Sequence, residues 1–477
     1  MLTNAPRGTK DILPDAVGAW TYVENVIREL CARYGYYEIR TPVFEHTELF
    51  QRGIGDGTDV VDKEMYTFTD RGERSLTLRP ENTASAVRAY LQNKLYADGG
   101  LQKLFYIGSM FRYDRPQAGR MREFHQFGVE AIGGESPAVD AEAILLAYDF
   151  LTALGLTGLT LKLNSVGCPT CRPVYRERLQ AYFKEHLASL CDDCQSRYTV
   201  RPMRILDCKA DAEQPFMTEA PAITDCLCEE CSSHFEAVQN HLRAAGVSYE
   251  LDSRLVRGLD YYTRTAFEIA YPPLGAQSAV AGGGRYDGLV EELGGNPTPA
   301  VGFAAGLERV LLALEQQNLL PERPPAADVF LIALGEAAAA AAFPLLHELR
   351  QGGVRALLSL DHDAVSALYD VTVGKSLTMS LSLRNAGNGP RLVEAALHTY
   401  LSVHDVTACV LTGLEGAEYS EEGGCGHVQS GPLRIAGAVD RIYRSESPVR
   451  VTDPGHDRAI TVSGTGSPTT IVWNPWS

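Results

Sequence analysis

The 477-residue chain has no apolar run approaching the roughly 20 residues needed to span a bilayer. Its opening, MLTNAPRGTKDILPD, lacks the basic, apolar, then small-residue order of a secretory leader. These two absences predict a cytoplasmic protein with no membrane contact. A basic surplus is also missing: 43 Lys and Arg face 60 Asp and Glu, a formal net charge of −17. That balance argues against a general nucleic-acid coat, yet it allows a nucleic-acid substrate met by a local basic patch. No internal repeat is present, and the low-complexity run Ala337 to Ala342 opens an expected helix that ends near RQGG.

What is there is ordinary globular material, 45% hydrophobic and 22% charged, enough for about three domains with their own cores. Eight of the 11 cysteines crowd into residues 168–231 as CPTC, CDDC, Cys208 and CLCEEC. In a cytosolic chain this suggests metal or free thiols before disulfides, and C-x2-C pairs let two thiolates share one tetrahedral zinc. The other reading is a helical insert with reduced cysteines. Spacing alone selects no ligand set among Cys168, Cys171, Cys191, Cys194, Cys208, Cys226, Cys228 and Cys231.

The first 320 residues read as mixed helix and strand. AWTYVENVIRELCARYGY has helical spacing, and KLFYIGSMFRYD and EFHQFGVEAI are short apolar-rich strands. Between them lies FRYDRPQAGRMR, with four arginines in 12 residues, expected at the tip of a long hairpin. Such a density of guanidinium forks in an acidic chain suits an anionic ligand, or a solvated charged tip. In the second strand the period of two puts Gln126, Gly128 and Glu130 on one face and Phe127, Val129 and Ala131 on the core face. The polar face is either a ligand face or a solvent face. TLRPENTAS places Glu81 and Thr83 at a turn, as an amine-binding pair or as the cap of the helix that follows. AGGGRYDG by itself reads as a tight turn or bulge. The link QQNLLPERPPAAD marks a domain boundary.

Taken together, YEIRTPVFE, MFRYDRPQAGRMREFHQFGVEAIG, LVRGLDYYTRTAFE, AGGGRYDG and AVGFAAGLERVLL stand in the order and spacing of the histidyl-tRNA synthetase family. The chain closely resembles that family from about residue 1 to 358, and RGTKDILP, TLRPENTAS and the Cys-bearing insert add to the likeness. The resemblance implies an α+β fold. Residues 1–322 would form a class II aminoacyl-tRNA synthetase core, an antiparallel sheet with flanking helices, and residues 168–245 a Cys-rich helical insert. The core would act as a homodimer whose interface includes the motif around Pro42. It implies a ligase that joins L-histidine to tRNA(His) through histidyl-adenylate, using ATP with Mg2+.

By the same resemblance, Arg112 would hold the α-phosphate of ATP and the substrate carboxylate, Arg309 the γ-phosphate, and Arg257 the α-phosphate as the family's catalytic arginine. Asp114, where the family more often has glutamate, would lie at the adenine. Glu81, Thr83 and Gln126 would surround the α-amino group, with Glu130 and Tyr262 at the imidazole. Strand period alone sends Tyr261 and Tyr262 to opposite faces, with Tyr261 beside Arg257, unless a turn near Gly258 intervenes. Gln117, Arg120 and Arg122 would meet the tRNA acceptor end. The alternative is a non-catalytic, synthetase-like regulatory subunit of histidine biosynthesis, which would not need the phosphate arginines.

The likeness breaks near residue 360. Residues 323–360 resemble the first strand, helix and second strand of the family's α/β anticodon-binding domain, here truncated. Residues 361–477, an expected all-β tail, resemble from about Tyr369 the later part of a hexose-6-phosphate mutarotase, a partial β-sandwich. His398 matches a catalytic histidine of that family, but the partner glutamate is missing, so no mutarotase activity is expected. The tail carries 13 Asp and Glu against eight Lys and Arg, a balance unlike a tRNA surface. Its incomplete sandwich is expected to leave unpaired strand edges.

Overall fold

A computed structural model gives the architecture. It describes all residues except 1–3, 56–57, 59, 118, 322–326, 334–335, 359–364, 386–396, 398, 422–425 and 475–477. The chain divides into two compact units, residues 1–324 and 325–477.

The first unit is built on a sheet whose strands are β1 (Tyr37–Glu38), β2 (Gln102–Phe111), β3 (Glu123–Ile132), β4 (Thr160–Ser165), β5 (Glu250–Leu251), β6 (Thr263–Ala270), β7 (Ala279–Arg285) and β8 (Ala300–Gly306). Their spatial order is β1-β2-β3-β8-β7-β6-β4-β5, antiparallel except for the two edge pairs. The expected hairpin is β2 with β3, paired from Gln102↔Ile132 to Phe111↔Glu123, and the arginine-rich stretch forms its tip.

Residues opposite one another in an antiparallel ladder share a face. One face therefore carries the rows Phe105, Val129, Phe303, Phe267 and Ile107, Phe127, Ala305, Ala281, Ile269. Most of these are buried, and they pack on helices α1 (Pro14–Arg33), α3 (Pro137–Ala153) and α7 (Leu307–Gln316) in the main core. Each fully buried Phe or Ile contributes roughly 1.5–3 kcal/mol. α1 follows its apolar spacing, burying Val23, Ile27, Leu30 and Cys31, starts on Pro14 and stops at Gly35, whose φ of 75° favours glycine. α3 starts on Pro137, with the Ser136 hydroxyl accepting the Ala138 N–H.

The opposite face carries the rows Leu104, Glu130, Gly302, Gly284, Ala266 and Tyr106, Gly128, Ala304, Gly282, Glu268. Small residues dominate it, which leaves room above the sheet for other side chains. AGGGR is thus part of strand β7, where a turn was expected. At Gly282 an added Cβ would lie 2.7 Å from Arg257 Nη1, and at Gly302 it would lie 2.2 Å from Glu130 Oε2. Close approach of neighbouring groups, not chain reversal, is the reason for glycine here.

Arg285, at the end of β7, is completely buried and forks onto the equally buried Asp140 of α3, with Nε 3.1 Å from both carboxylate oxygens. His234 Nε2 lies 3.3 Å from Asp140 Oδ1. Burial works against this carboxylate, yet hydrogen bonds from His234 and Arg285 hold its pKa below the usual range. Asp140→Ala should destabilise the first unit by about 3 kcal/mol, because the fully buried guanidinium would be left with only the half-buried Asp287, 3.0 Å from Nη1, as counter-charge. Urea unfolding followed by tryptophan fluorescence checks this.

The insert is helical, as expected: α4 (Cys171–Lys184), α5 (Asp192–Val200) and α6 (Glu229–Ala244). It has a small core of its own around Tyr175, Leu179, Phe183 and Ile205.

The second unit begins with strands Val329–Leu331 and Ala356–Leu358, paired in parallel and joined by the helix Glu336–Gln351, the expected strand, helix and strand. The helix starts at the alanine run, and Phe343 and Leu345 on it are exposed. A two-stranded hairpin, Val365–Val373 with Leu377–Asn385, leaves Tyr369, Val371 and Val373 exposed. Two four-stranded sheets follow, enclosing a small core of Cys409, Leu411, Leu414, Val439, Tyr443 and Val451. The all-β expectation therefore holds for the described tail. His398 lies outside the described residues.

Candidate active site

The glycine-rich face of the sheet carries two adjoining sets of groups. The first is a buried cluster of polar side chains. Glu130 of β3 is 1% exposed and accepts hydrogen bonds from Tyr106 of β2, at 3.2 Å, and from Tyr286, which follows β7. Burial pushes its pKa up to about 8, despite the tyrosine hydrogen bonds that favour the anion. The carboxyl is therefore a proton donor and acceptor near neutrality.

Glu81 is buried beside it. Its carboxylate accepts the N–H groups of Thr83 at 2.6 Å and Ala84 at 3.0 Å, capping helix α2 (Thr83–Gln92). The capping reading of TLRPENTAS thus holds for Glu81, whose pKa burial raises. The Thr83 hydroxyl lies within hydrogen-bonding reach of Tyr106, Glu130 and Tyr261. Gln126, on the same face of β3, has a buried Oε1 with no hydrogen-bond partner among the described residues. An orphaned buried acceptor is uncommon and suits a ligand carrying a donor.

Residues 258–261 form a bend and turn before β6 begins at Thr263. This breaks the strand alternation, so both tyrosine rings are buried together, with centroids 4.6 Å apart. Tyr261 packs edge-on against Tyr286, and Tyr262 lies beside Arg257, with the guanidinium carbon 5.4 Å from its ring centroid. The simple-period expectation, which put Tyr261 with Arg257, is corrected by that turn.

The second set is cationic. Arg257 lies over Gly282, with Nη1 3.6 Å from Glu268 Oε2, and its buried Nε has no partner among the described residues. Arg309, in the first turn of α7, donates from Nη1 to Ala279 O at 2.8 Å and from Nε to Gly119 O at 3.2 Å. Burial lowers its pKa, and the nearby charges of Arg120 and Arg112 lower it further. Arg112 is fixed by Nε donating to Pro80 O at 2.8 Å, and its charge acts on Glu81. Like charges gathered on one face of an acidic protein are costly unless an anion joins them.

The hairpin tip is stiffened from within. Gln117 and Arg120 exchange backbone hydrogen bonds of 3.0 and 2.9 Å, and Gln117 is exposed. Arg120 forms an ion pair with Asp114, so both residues have a partner inside the loop. Arg122 stacks 3.9 Å from the Tyr113 ring centroid, and its N–H donates to Gly8 O at 2.7 Å, tying RGTKDILP to the tip.

Sequence reasoning missed Tyr106, Tyr286 and Glu268. Tyr286 stood in plain view within AGGGRYDG, and Glu268 shares the alternation of β6, but neither spacing reveals what crosses from a neighbouring strand. The eight insert cysteines separate into Cys168, Cys171, Cys228 and Cys231, and Cys191, Cys194 and Cys208 with Asp211. Cys226 joins neither group; its Sγ accepts from Arg178 at 3.1 Å.

An antiparallel sheet with a buried polar cluster and gathered guanidinium groups on one face, and helices on the other, defines a class II aminoacyl-tRNA synthetase core. Comparison with known proteins narrows the class. The family model for histidyl-tRNA synthetase matches residues 8–172 and 174–310. The histidine–tRNA ligase of Desulforamulus reducens is 58% identical over 356 residues, covering 75% of this chain and 85% of that protein. Its counterpart from Pelotomaculum thermopropionicum is 59% identical, covering 75% and 84%. The apo crystal structure of S. aureus histidyl-tRNA synthetase superposes with a TM-score of 0.63 at 42% identity, over 75% of this chain and 86% of that one. The chain belongs to the histidyl-tRNA synthetase family.

Proposed function

We propose that this chain is a histidine–tRNA ligase: it activates L-histidine with ATP and transfers the histidyl group to tRNA(His). The observation that carries the reading is the joint presence, on one sheet face, of the buried polar cluster, whose Gln126 oxygen has no partner among the described residues, and the guanidinium groups of Arg112, Arg257 and Arg309. The polar cluster takes the amino acid: Gln126, Glu81 and Thr83 around the ammonium group, Glu130 with Tyr261 and Tyr262 around the imidazole. A carboxyl with a pKa near neutrality can share one proton with an imidazole.

In the activation step a carboxylate oxygen of histidine attacks the α-phosphorus of ATP, and the bond to pyrophosphate breaks. Negative charge grows on phosphoryl oxygens, which Arg257 and Arg112 stabilise without reorganising, while Arg309 holds the γ-phosphate. Mg2+ accompanies the ATP in this family and neutralises phosphate charge; the Glu268 carboxylate, beside Arg257, suits a hard cation. A terminal ribose hydroxyl of tRNA(His) then attacks the adenylate carbonyl, and AMP leaves. Asp114 stays on the adenine side of the tip, and Gln117, Arg120 and Arg122 on the tRNA side.

Gln117→Ala should reduce tRNA charging by about 3- to 10-fold, the worth of one hydrogen bond, while ATP–pyrophosphate exchange stays unchanged. Equal charging rates would remove Gln117 from the acceptor site. The direct test of the whole reading is histidine-dependent ATP–pyrophosphate exchange, then charging of tRNA(His) on the same preparation. A folded protein that binds histidine without exchange would instead be a regulatory subunit.

The working unit is a cytoplasmic homodimer. Val43 and Phe44, which follow Pro42, are exposed, and Phe44 meets the exposed Phe68 edge-on, an apolar surface that a second copy would cover. Among the described residues no helix is long and apolar enough to cross a membrane. Residues 1–322 form the ligase core, 323–360 a truncated anticodon-binding segment and 361–477 a partial mutarotase-like β tail. The Cys-rich insert holds structural zinc, which its paired C-x2-C spacing supports.

A further inference from the structure

The fold sorts the insert's thiols into two separate coordination shells. In the first, Cys168 comes from the chain between β4 and α4, Cys171 opens α4, and Cys228 and Cys231 come from the start of α6. Cys168 Sγ lies 3.5 Å from Cys171 Sγ and 3.9 Å from Cys228 Sγ, and all four sulfurs fall within 4.8 Å of one another. Zn–S bonds of about 2.3 Å in a tetrahedron set sulfurs about 3.8 Å apart, so these thiols already have the spacing of one shell. The Cys228 N–H donates to Cys171 Sγ at 3.1 Å, which favours negative charge on that sulfur.

The second shell lies inside the loop that the first one closes. Cys191 and Cys208 sulfurs are 3.7 Å apart, and with Cys194 and Asp211 all four ligand atoms fall within 4.8 Å. Asp211 is 3% exposed, its carboxylate held by the Cys191 N–H at 3.1 and 3.2 Å. A buried carboxylate packed against three sulfurs is costly for protein alone and favourable around a divalent cation.

The insert needs such help and also touches the active site. Its small core includes Cys194 and Cys208, and among its members is Val256, the residue before Arg257. Arg172, adjacent to Cys171, donates to Val166 O at 3.1 Å and to Tyr262 O. Arg201 pairs with Asp260 at 2.7 Å. Contacts from three places on the insert thus converge on the segment that carries Arg257, Tyr261 and Tyr262.

We propose that the insert binds two zinc ions, one held by Cys168, Cys171, Cys228 and Cys231 and the other by Cys191, Cys194, Cys208 and Asp211, and that together they brace the Arg257–Tyr262 segment. The inference rests on the reading of the insert as a zinc module and is independent of the ligase reading, because metal content is measured directly.

The test is elemental analysis of the purified full chain after dialysis, with two zinc per chain expected. Cys231→Ser and Cys208→Ser should each lose one ion, and Cys226→Ser should keep both. Cobalt substituted into the unaltered chain should give the intense visible bands of tetrahedral cobalt thiolate. Stripping the metal should slow ATP–pyrophosphate exchange by at least about tenfold, with recovery on adding zinc. A metal-free wild-type chain would defeat the zinc reading itself. One zinc in the unaltered chain that both variants abolish, or two zinc lost together from either variant, would defeat the two-shell assignment, and unchanged exchange after stripping would defeat the bracing. Should the variants prove insoluble, the cobalt spectrum of the unaltered chain decides: weak octahedral bands would overturn the proposal.

Discussion

Arg257→Ala should slow histidine-dependent ATP–pyrophosphate exchange by about 10²- to 10³-fold, the usual cost of one preorganised donor to a developing oxyanion. Histidine affinity should stay within a few fold. The separation follows from where Arg257 sits. It lies over Gly282 at the cationic end of the face, with the Tyr262 ring and Glu268 as neighbours and a buried Nε that has no partner among the described residues. Its charge is fixed before substrate arrives, so it gains an interaction as phosphoryl charge grows rather than when histidine binds. Pre-steady-state adenylate formation together with equilibrium histidine binding separates the two. Equal loss of both would make Arg257 a structural residue that merely holds the Tyr262 segment.

Glu130→Ala should lower kcat/KM for histidine by on the order of 10²- to 10³-fold, since truncating a buried charged partner costs about 2–5 kcal/mol. The loss would appear in KM as well as in kcat, unlike that of Arg257→Ala. The isosteric Glu130→Gln permits a sharper test through pH. If bound imidazole and Glu130 share one proton, wild-type binding needs the protonated carboxyl of the free site, whereas the glutamine variant has no such requirement. The ratio of wild-type to variant affinity cancels titration of histidine itself. It should be level below about pH 8 and fall about tenfold per pH unit above it, following the raised pKa of this buried carboxyl. A ratio that stays level to pH 9.5, or that breaks near pH 4–5, would show that the carboxyl is not held protonated and would remove the shared proton.

Much of the site was legible because its motifs are local. The arginine-rich tip between two apolar strands implied the hairpin, and the alternation of β3 placed Gln126, Gly128 and Glu130 opposite a core row that is indeed buried. The alanine run and RQGG bounded the helix at Glu336–Gln351. Legibility failed where a contact crosses between elements. AGGGR looks like a turn in isolation. It is a strand because it pairs on both sides, with β6 and β8, and Gly282 is glycine because Arg257, from the loop before β6, lies against it. Tyr261 and Tyr262 share one side because a turn over 258–261 precedes their strand, and no period can anticipate it.

By itself, the sequence determined the acidic balance, the family motifs and the clustering of cysteines, since composition and local order survive without folding. Only the tertiary structure decided which thiols meet, that Asp211 joins three of them, and that Glu130 is sealed between Tyr106 and Tyr286. The physical reason is burial: a carboxyl's proton affinity and a metal shell's geometry depend on distances between groups far apart in the chain, and those distances exist only once the sheet and insert have packed.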